Sequence, residues 1–518
     1  MDRHGHDGDE KERPLLVVTR ETLETFDDDV RYLWSCSDVP VYENPPSALE
    51  FLRNHVAVSR PCIIRNSILR TPASETIDHG NRNCSIDGNV HDDAAVPLTI
   101  TLDDLVRLFP EAGDVEHAAA ASSTVLPPLC VDVTPDGHGD CLRKVTIAQQ
   151  GASPRTPETT EAERVFVKPL ETTMSLSEFC HRLRKGHIKQ KQRENGYGCK
   201  NDGENILDTV FHESSSSPSP RSQDGLHGAD NPGHAINNDE SLFEDCVLYY
   251  SRQNDCLRQE LSPLWNLKRS SMGHRGNDDN NDRSNVEEED SFLFPRSFHW
   301  AEEAFFGQQV SPGPDAVNLW MGDERAVSAM HKDHYENLFY VLSGEKVFGL
   351  CPPSDAPFLY EREVLSGRFE VSSGNGTGHD DEKRESQQQR SWSVVLDREE
   401  DDCASGNQSS SDATTRYAKV HWIATDLFGA RPDDTNRDDN DDDFPLSKHT
   451  HPITVTVRAG ELLYLPSLWF HRVTQTRETI GINYWYDMNF ESPLWCYFHL
   501  LQQLRPFVPA SATKTEGE

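Results

Sequence analysis

The sequence is 518 residues long, with 35% hydrophobic residues and a formal net charge of −37. Its length would accommodate two or three domains, but the low hydrophobic fraction and the high charge indicate that much of the chain is solvated. The acidic balance argues against nucleic-acid binding and favours a basic protein partner.

Signals for membrane insertion and secretion are weak in this sequence. No apolar run approaches the roughly 20 residues that a helix needs to cross a bilayer, and segment 1–14 is too charged for a signal peptide. We therefore expect a soluble protein of the cytoplasm and/or the nucleus, with no membrane partner. The 12 cysteines are scattered and form no C-x-x-C pair, which favours reduced thiols over disulfides or a zinc site.

Composition predicts one main domain that is interrupted by polar segments. We expect a tail and leading helix at 1–40, a single domain at 41–510 and a short tail at 511–518. Segments rich in Gly, Ser, Asn and Asp hold too few apolar residues to order themselves. These long disordered inserts are predicted near 72–95, 145–165, 186–240, 269–290, 372–416 and 431–448.

Between the inserts, the spacing of apolar residues predicts helices and strands. Helices are expected over 15–34, after Pro45-Pro46, and from Ser175 to about Lys185, the last opened by a capping box between Ser175 and Glu178. Short strands are expected at 61–64, 130–133, 165–167 and 246–250.

The segment 326–350, AVSAMHKDHYENLFYVLSGEKVFGL, places charged side chains on short apolar runs. If residues 327–333 form a strand, His331 and Asp333 point to the same face. The run 338–342, the turn Ser343-Gly344 and the return through Lys346 predict a β-hairpin. A histidine and a carboxylate at this spacing are two ligands of a 2-His-1-carboxylate iron site.

The third ligand is expected to be His471, which lies in the apolar segment VTVRAGELLYLPSLWFHRV. An H-x-D triplet alone is a weak signal, since His91/Asp93, His138/Asp140 and His379/Asp381 also fit it within polar sequence. A histidine of this kind is more often a hydrogen-bonded core residue than a ligand. The combination of His331, Asp333 and His471 favours a metal site.

Two longer segments, NLWMGDERAVSAMHKDHYENLFYVLSGEKVFGLCPPSD and AGELLYLPSLWFHRV followed by IGINYWYDM, resemble the Jumonji-C (cupin-like) Fe(II)- and 2-oxoglutarate-dependent oxygenases. The similarity is greatest to the small branch that hydroxylates lysine in GTP-binding proteins. The resemblance implies a mainly β fold with flanking helices, a double-stranded β-helix of the jelly-roll type. It also implies Fe(II), 2-oxoglutarate and O2 as cofactors.

A cation is needed for the distal carboxylate of 2-oxoglutarate, and Lys346 is the natural choice because a buried lysine is costly without an anion. The alternative is a lysine that extends from the surface to solvent. The resemblance further places Tyr249, Ser328, Asn337 and Asn483 at positions that hydrogen-bond the cosubstrate or the metal-bound carboxylate. Ser328 departs from the family, which often has threonine there.

The resemblance implies a dioxygenase that hydroxylates a protein side chain, with lysine expected, and releases succinate and CO2. A histone N-methyl-lysine demethylase and an endopeptidase, as claimed for some relatives, are the alternatives, and a non-catalytic cupin scaffold is the alternative of another class. The expected partner is a protein substrate, with GTP-binding proteins as candidates and no nucleic acid.

The C-terminal segment 488–504 carries an apolar stripe at helical spacing, formed by Trp495, Phe498, Leu501 and Leu504. Such a stripe is a liability if it is exposed, so something must cover it. We expect a homodimer through this helix, and packing within the chain is the alternative.

Overall fold

The computed structural model describes residues 16–33, 38–69, 96–110, 125–146, 162–194, 246–269, 292–307, 312–372, 391–399, 416–429 and 444–506. Within these ranges the helices are α1 (Arg20–Leu33), α2 (Ala48–Phe51), α3 (Leu102–Leu108), α4 (Leu176–Glu194), α5 (Cys256–Gln259), α6 (Ser262–Trp265), α7 (His299–Phe306) and α8 (Pro493–Gln503). None of the helices in the described ranges has the length and apolar content that crossing a membrane requires.

Strands contain more of the described residues than helices do. They are β1 (Leu16–Val18), β2 (Val41–Tyr42), β3 (Cys62–Ile64), β4 (Leu129–Thr134), β5 (His138–Gly139), β6 (Cys141–Thr146), β7 (Ala162–Lys168), β8 (Leu170–Met174), β9 (Val247–Tyr249), β10 (Ala316–Gly322), β11 (Val327–Lys332), β12 (Tyr335–Ser343), β13 (Glu345–Cys351), β14 (Glu361–Ser372), β15 (Ser391–Leu396), β16 (Lys419–Ile423), β17 (Ile453–Arg458), β18 (Leu462–Leu465), β19 (Phe470–Gln475), β20 (Thr479–Asp487) and β21 (Leu504–Pro506).

Two sheets pack face to face and form the body of the protein. The first has the strand order β10-β20-β12-β18-β3-β2, and the second has the order β17-β13-β19-β11-β5. Phe339 and Leu463 of the first sheet share one buried cluster with Phe348 and Val457 of the second. This mainly β architecture with flanking helices is the predicted cupin-like fold.

The turn Ser343-Gly344 joins these two sheets, so the predicted β-hairpin is wrong. Strand β12 pairs with β18 and β20, whereas β13 pairs with β17 and β19. Gly344 has φ 78°, and a Cβ there would lie 2.3 Å from the carbonyl oxygen of Glu478. Only glycine fits such a crossing.

The outer face of the first sheet is covered by helices. Side chains from the sheet, such as Tyr340 and Tyr484, share the largest buried cluster with Phe51 of α2 and Phe179 of α4. The predicted strands at 61–64, 130–133, 165–167 and 246–250 are confirmed as β3, β4, β7 and β9. The predicted leading helix over 15–34 is confirmed from Arg20 as α1, whereas residues 16–18 form strand β1.

Helix α4 extends past its predicted end at about Lys185, to Glu194. Gly186 would favour a helix end, but it lies against Arg325, where a Cβ would come 2.5 Å from a guanidinium nitrogen. Arg325 also donates a hydrogen bond to the Leu183 carbonyl oxygen at 3.1 Å. A tertiary contact therefore covers the helix at the point where the sequence predicted its end.

Parts of the predicted inserts are ordered. Strands β6 and β7 shorten the insert 145–165 from both sides, and β15 lies inside the insert 372–416, where it pairs with β14. In β15, Val394 packs against Phe369 of β14, so a short apolar run in polar sequence finds its partner through the sheet. A short 3-10 turn, Ser447–His449, begins within the insert 431–448. The insert 72–95, the insert 269–290 apart from Arg269, and the remainder of the others lie outside the described residues.

The C-terminal stripe packs within the chain. The two facing sheets are called the barrel below. Phe498 and Leu501 of α8 are buried, in one cluster with Met330 and Phe470 of the barrel. Trp495 and Leu504, the other two stripe residues, are partly buried against the same cluster. A homodimer through this helix stays a prediction, and within the described residues it would have to use another face of α8, where Leu500 is exposed.

Candidate metal centre and its cavity

Three potential metal ligands converge where β11 and β19 lie side by side. His331 and His471 are direct cross-strand partners, with ring centroids 4.1 Å apart. The Asp333 Oδ2 atom is 3.5 Å from His471 Nε2 and 4.0 Å from His331 Nε2. One donor atom from each of the three side chains lies within 4.8 Å of the others. Two imidazoles and one carboxylate are the donor set that suits a non-haem Fe(II) ion.

The local backbone, rather than strand periodicity alone, brings Asp333 to the two histidines. Strand β11 ends at Lys332, so Asp333 lies just beyond the predicted strand. The pairing of β11 with β19 also shifts register between Ser328 and His331. The Asp333 carbonyl oxygen accepts a hydrogen bond from the Leu468 N–H at 2.9 Å, and Leu468 has a left-handed φ of 67°. Strain of this kind in a bulky residue is typical of functional sites.

Backbone carbonyl groups orient both imidazole rings. His331 Nδ1 lies 2.7 Å from the Ala329 oxygen, and His471 Nδ1 lies 3.0 Å from the Trp469 oxygen. A carbonyl oxygen only accepts hydrogen bonds, so Nδ1 must carry the proton in each ring. The Nε2 lone pairs are therefore left for a metal, which is how histidine ligands are held.

Electrostatics keep His331 and Asp333 in the protonation states that a metal requires. Burial, together with the neighbouring His471, lowers the pKa of His331 to about 4. Burial acts to raise the pKa of Asp333, but its interactions with His471 and His331 outweigh the burial and lower that pKa to about 2. At neutral pH, His331 is therefore a neutral imidazole and Asp333 is a carboxylate anion.

Lys346 of β13 is a buried cation without a carboxylate partner among the described residues. Its side chain is 1% exposed, and its Nζ donates to the Tyr249 hydroxyl at 2.9 Å and to Gln475 Oε1 at 3.1 Å. Burial lowers the pKa of Lys346 to about 7. An anionic ligand in this cavity would compensate the charge, so the residues present fit the distal carboxylate of 2-oxoglutarate.

The other predicted cosubstrate residues line the same cavity, which has a volume of about 340 Å³. The Tyr249 hydroxyl accepts the bond from Lys346 and is also hydrogen-bonded to Ser328. Asn483 Nδ2 donates to Asn337 Oδ1 at 3.3 Å. The eight side chains that the sequence singled out are therefore all brought to one cavity: His331, Asp333, His471, Lys346, Tyr249, Ser328, Asn337 and Asn483.

Sequence reasoning missed several residues of this site. Gln475 holds Lys346 in place and itself donates to the carbonyl oxygens of Asp323 and Ala326, at 2.6 and 3.1 Å. It lies four residues after His471 in the same strand, and this even spacing is the signal that would have found it. Trp422 has no such signal, since it reaches the cavity from β16.

Two of the rejected H-x-D triplets, at 91–93 and 379–381, lie outside the described residues. The third was predicted as loop, but His138 lies in β5 and Asp140 lines the cavity. The triplet was missed because its polar flanks do not show that β5 pairs with β11.

A second group of potential ligands is formed by His187, Asp323 and Glu324. Asp323 is already neutralised by Arg325, with 2.6 Å between Oδ2 and Nη2. His187 is paired with Glu324 at 2.6 Å. A cation beside Arg325 would be repelled, so this group does not compete with the first as a metal site.

Comparison with known proteins agrees with this geometry. The JmjC domain-containing protein E of Dictyostelium discoideum is 36% identical over 211 residues, which are 39% of this chain and 50% of that protein. The human bifunctional peptidase and (3S)-lysyl hydroxylase JMJD7 is 36% identical over 205 residues, 40% of this chain and 50% of that protein. The lysine-specific demethylase JMJ32 of Arabidopsis thaliana is 33% identical over 263 residues, 50% of this chain and 57% of that protein.

The chain thus spans only about half the length of these curated relatives. The match to the family itself is more extensive, because the cupin-like domain family matches residues 47–492. That range contains the facing sheets except the short strand β2, and all eight cavity residues that the sequence singled out. The chain belongs to the cupin-like domain family, among relatives that carry the JmjC domain.

Proposed function

We propose that this protein is an Fe(II)- and 2-oxoglutarate-dependent dioxygenase that hydroxylates a lysine side chain of a protein substrate. The observation that carries the proposal is the convergence of His331, Asp333 and His471 in the cavity that also holds the buried Lys346. Neither feature alone requires an oxygenase, but a metal-ligand triad beside an uncompensated cation matches a metal ion and a dicarboxylate in one site.

The described residues have separate roles in this reaction. His331, Asp333 and His471 would hold Fe(II). Lys346 and Tyr249 would bind the distal carboxylate of 2-oxoglutarate by charge-assisted hydrogen bonds. When bound, iron, 2-oxoglutarate and O2 supply the oxidation that turns a C–H bond into C–OH, while 2-oxoglutarate becomes succinate and CO2.

The amide pair at the cavity wall would limit movement of the bound cosubstrate. Asn483 is fixed by two contacts, since its Oδ1 accepts from Trp320 Nε1 at 2.9 Å and its Nδ2 donates to Asn337. Both asparagines are at least 95% buried, so little rearrangement is needed to present their remaining hydrogen-bonding atoms.

Lysine is the proposed target because the named activities of two relatives, a lysyl hydroxylase and a lysine-specific demethylase, both concern lysine. The demethylase remains the second candidate, since the same centre would oxidise an N-methyl carbon. A peptidase activity, named for the human relative, finds no such support. In the described cavity, the hydroxyl groups of Ser251 and Ser328 bond to Asp132 and Tyr249 rather than to a histidine base.

The setting of the reaction follows from the same proposal. We expect a protein substrate, with GTP-binding proteins as candidates, and a location in the cytoplasm and/or the nucleus. Both remain predictions from the sequence.

The test is mass spectrometry of a degenerate peptide library with a fixed central lysine, after incubation with Fe(II), 2-oxoglutarate and isotope-labelled O2. We expect succinate formation and a gain of one labelled oxygen atom on lysine, both lost when 2-oxoglutarate is omitted. A matched library with Nε-methylated lysine tests the demethylase, which would show loss of a methyl group instead. Absence of succinate with every library would overturn the proposal.

A further inference from the structure

Two carboxylates line the cavity that contains the triad and Lys346, and the chemistry proposed so far uses neither. Asp132 in β4 is the cross-strand partner of Tyr249 in β9. Asp140 directly follows Gly139, which pairs with Ser328 in β11. Both acids therefore lie one strand away from residues of the cosubstrate site, and both line its cavity.

The cations of the cavity are all held by other groups. Lys168 Nζ is 2.9 Å from Asp397 Oδ2, and Lys332 Nζ is 2.7 Å from Glu361 Oε1. Lys346 bonds to Tyr249 and Gln475. Among the described residues, no salt bridge therefore joins Asp132 or Asp140 to a cation.

Arg252, whose charge favours the ionised form of Asp132, is held by two other carboxylates. Arg252 lies 2.8 Å from Glu171 Oε1 and 3.7 Å from Glu260 Oε1. Burial, with a contribution from nearby Asp140, raises the pKa of Asp132 to about 7. Burial also raises the pKa of Asp140, to about 6. Burial and mutual repulsion disfavour two charged carboxylates that lie close together. A cationic ligand would compensate both charges, so the site favours binding of a cation.

Aromatic side chains line the same cavity near the metal ligands. The rings of Phe166 and Trp422 have centroids 4.4 Å apart. The Trp422 ring is nearly parallel to that of His331, at an angle of 9° and a centroid distance of 6.5 Å. Flat apolar surfaces of this kind cover methylene groups well. The cavity therefore combines an apolar wall with an acidic pair.

We propose that Asp132 and Asp140 form the subsite that binds the ε-ammonium group of the substrate lysine, and that they select lysine over neutral side chains with the same four-carbon stem. The inference rests on the proposed function and adds the residues that recognise the substrate. Two carboxylates accept hydrogen bonds from the three N–H donors of an ammonium group, whereas a trimethylated nitrogen offers none. The subsite thus favours unmodified lysine.

A purely structural role for Asp132 makes a different prediction. Its carboxylate accepts a hydrogen bond from the Ser251 hydroxyl, which ties β4 to the segment after β9. Ser251→Ala removes that bond and keeps the carboxylate, whereas Asp132→Asn keeps the size and removes the charge. If the role is only structural, the serine variant should have the larger effect on thermal stability and neither should change selectivity.

The experiment compares lysine with its neutral counterpart norleucine as the fixed central residue of the degenerate peptide library. In the full-length enzyme we expect lysine to be oxidised at least about 10-fold faster at low peptide concentration, since a hydrogen bond to a charged group contributes about 1.5–3 kcal/mol. Asp132→Asn should reduce that preference by about 10-fold, and Ser251→Ala should retain it. Glu363→Gln, which neutralises an exposed acid of β14 outside the cavity lining, is the matched control.

A binding measurement separates this inference from the proposed function. n-Pentylamine hydrochloride and 1-pentanol, which share a stem, are titrated into the full-length chain by ligand-observed nuclear magnetic resonance. We expect the amine to bind more tightly than the alcohol in the wild type, and the difference to vanish in Asp132→Asn.

The outcomes of the two measurements are distinct. Amine selectivity without any succinate would keep the subsite and overturn the dioxygenase. Succinate formation with equal use of lysine and norleucine, or with a lysine preference that survives Asp132→Asn, would overturn the subsite and keep the dioxygenase.

Discussion

The inner and outer parts of the cavity are built in different ways. The inner part, with His331, His471 and Lys346, lies on β11, β19 and β13, which are neighbours in one sheet of the barrel. Cross-strand register sets these positions, since His331 faces His471 and Lys346 faces Gln475. Its lysine is almost fully buried.

The outer part is supported less extensively, because Asp132 lies in a sheet of three strands, β8-β4-β9. Asp140 follows β5, a strand of two residues, and has a left-handed φ of 49°. Asp132 and Asp140 are partly buried, as His331 and Asp333 are, so the contrast lies in the supporting sheets and not in burial. It is consistent with the proposals above, in which the barrel would hold the oxidising centre and a smaller sheet would contribute to recognition of the substrate.

The strongest test of the inner part is Asp333→Ala. Loss of the only carboxylate of the triad should lower Fe(II) affinity by at least about 100-fold and abolish succinate production, because two histidines alone hold the ion poorly. Calorimetric titration with Fe(II) under nitrogen and a succinate assay measure the two effects. His334→Ala, at the next position and outside the cavity lining, is the control, and wild-type turnover in Asp333→Ala would remove the triad assignment.

A second test concerns Lys346. Lys346→Met keeps an unbranched apolar stem but removes the charged end, so the 2-oxoglutarate concentration for half-maximal rate should rise by about 10- to 100-fold. Lys346→Arg keeps the charge and should raise this concentration less. Because the wild type buries a cation whose pKa burial lowers to about 7, Lys346→Met should also melt at a higher temperature. Equal cosubstrate kinetics in all three proteins would place the essential cation elsewhere.

Trp422 lies between the inner and outer parts of the cavity. Its replacement tests whether substrate binding and metal binding can be changed separately. Trp422→Ala should lower the rate for the lysine library at low concentration by about tenfold, since it removes apolar surface that the lysine stem would cover. Trp422→Phe should restore most of the loss. Metal titration of Trp422→Ala should match the wild type. A tenfold fall in metal affinity would instead mean that Trp422 chiefly supports the His331 ring.

The sequence predicted the inner part well for a physical reason. The histidines and Lys346 lie on or beside short apolar runs with strand periodicity, which leaves few choices of face. The same reasoning failed at Ser343-Gly344, since a tight turn does not reveal whether it pairs two strands or joins two sheets. It also assigned both Asp333 and His331 to one strand, although β11 ends between them.

The outer part was beyond sequence reasoning because its contacts are distant in the chain. Asp132 meets Ser251, and Trp422 meets His331, across segments that the composition marked as polar inserts. Strand β15 was missed for the same cause, since its partner β14 supplies the apolar surface that the local sequence lacks. The C-terminal stripe was found, but its spacing could not decide between packing on the barrel and packing on a second copy.

The smallest expected effect concerns the connection between the barrel and a further sheet. This sheet, with the order β15-β14-β7-β6, is called the added sheet. Glu361 at the start of β14 accepts a hydrogen bond from Lys332 of β11 at 2.7 Å, and its other oxygen accepts one from Gln502 of α8 at 2.9 Å. Burial acts to raise the pKa of Glu361, but the attraction of Lys332 and these hydrogen bonds outweigh it, so the pKa lies below its ordinary value of 4.5. A depressed carboxylate pKa stabilises the fold above the unfolded-state value, and that contribution is lost as the pH falls through the folded-state pKa.

Glu361→Gln should therefore lower the free energy of unfolding by on the order of 1–2 kcal/mol at pH 7, and by progressively less as the pH falls below about 4.5. Glu363→Gln is the matched control two residues along the same strand, because Glu363 pairs with Lys419 at 2.9 Å but both side chains are more than half exposed. Urea unfolding of both variants and the wild type at pH 7 and pH 4 measures the difference, and a double-mutant cycle with Lys332→Met isolates the pair. If Glu361→Gln and Glu363→Gln lose equally little at pH 7, the connection between barrel and added sheet depends on apolar packing, and the ion pair beside the metal centre is incidental to the fold.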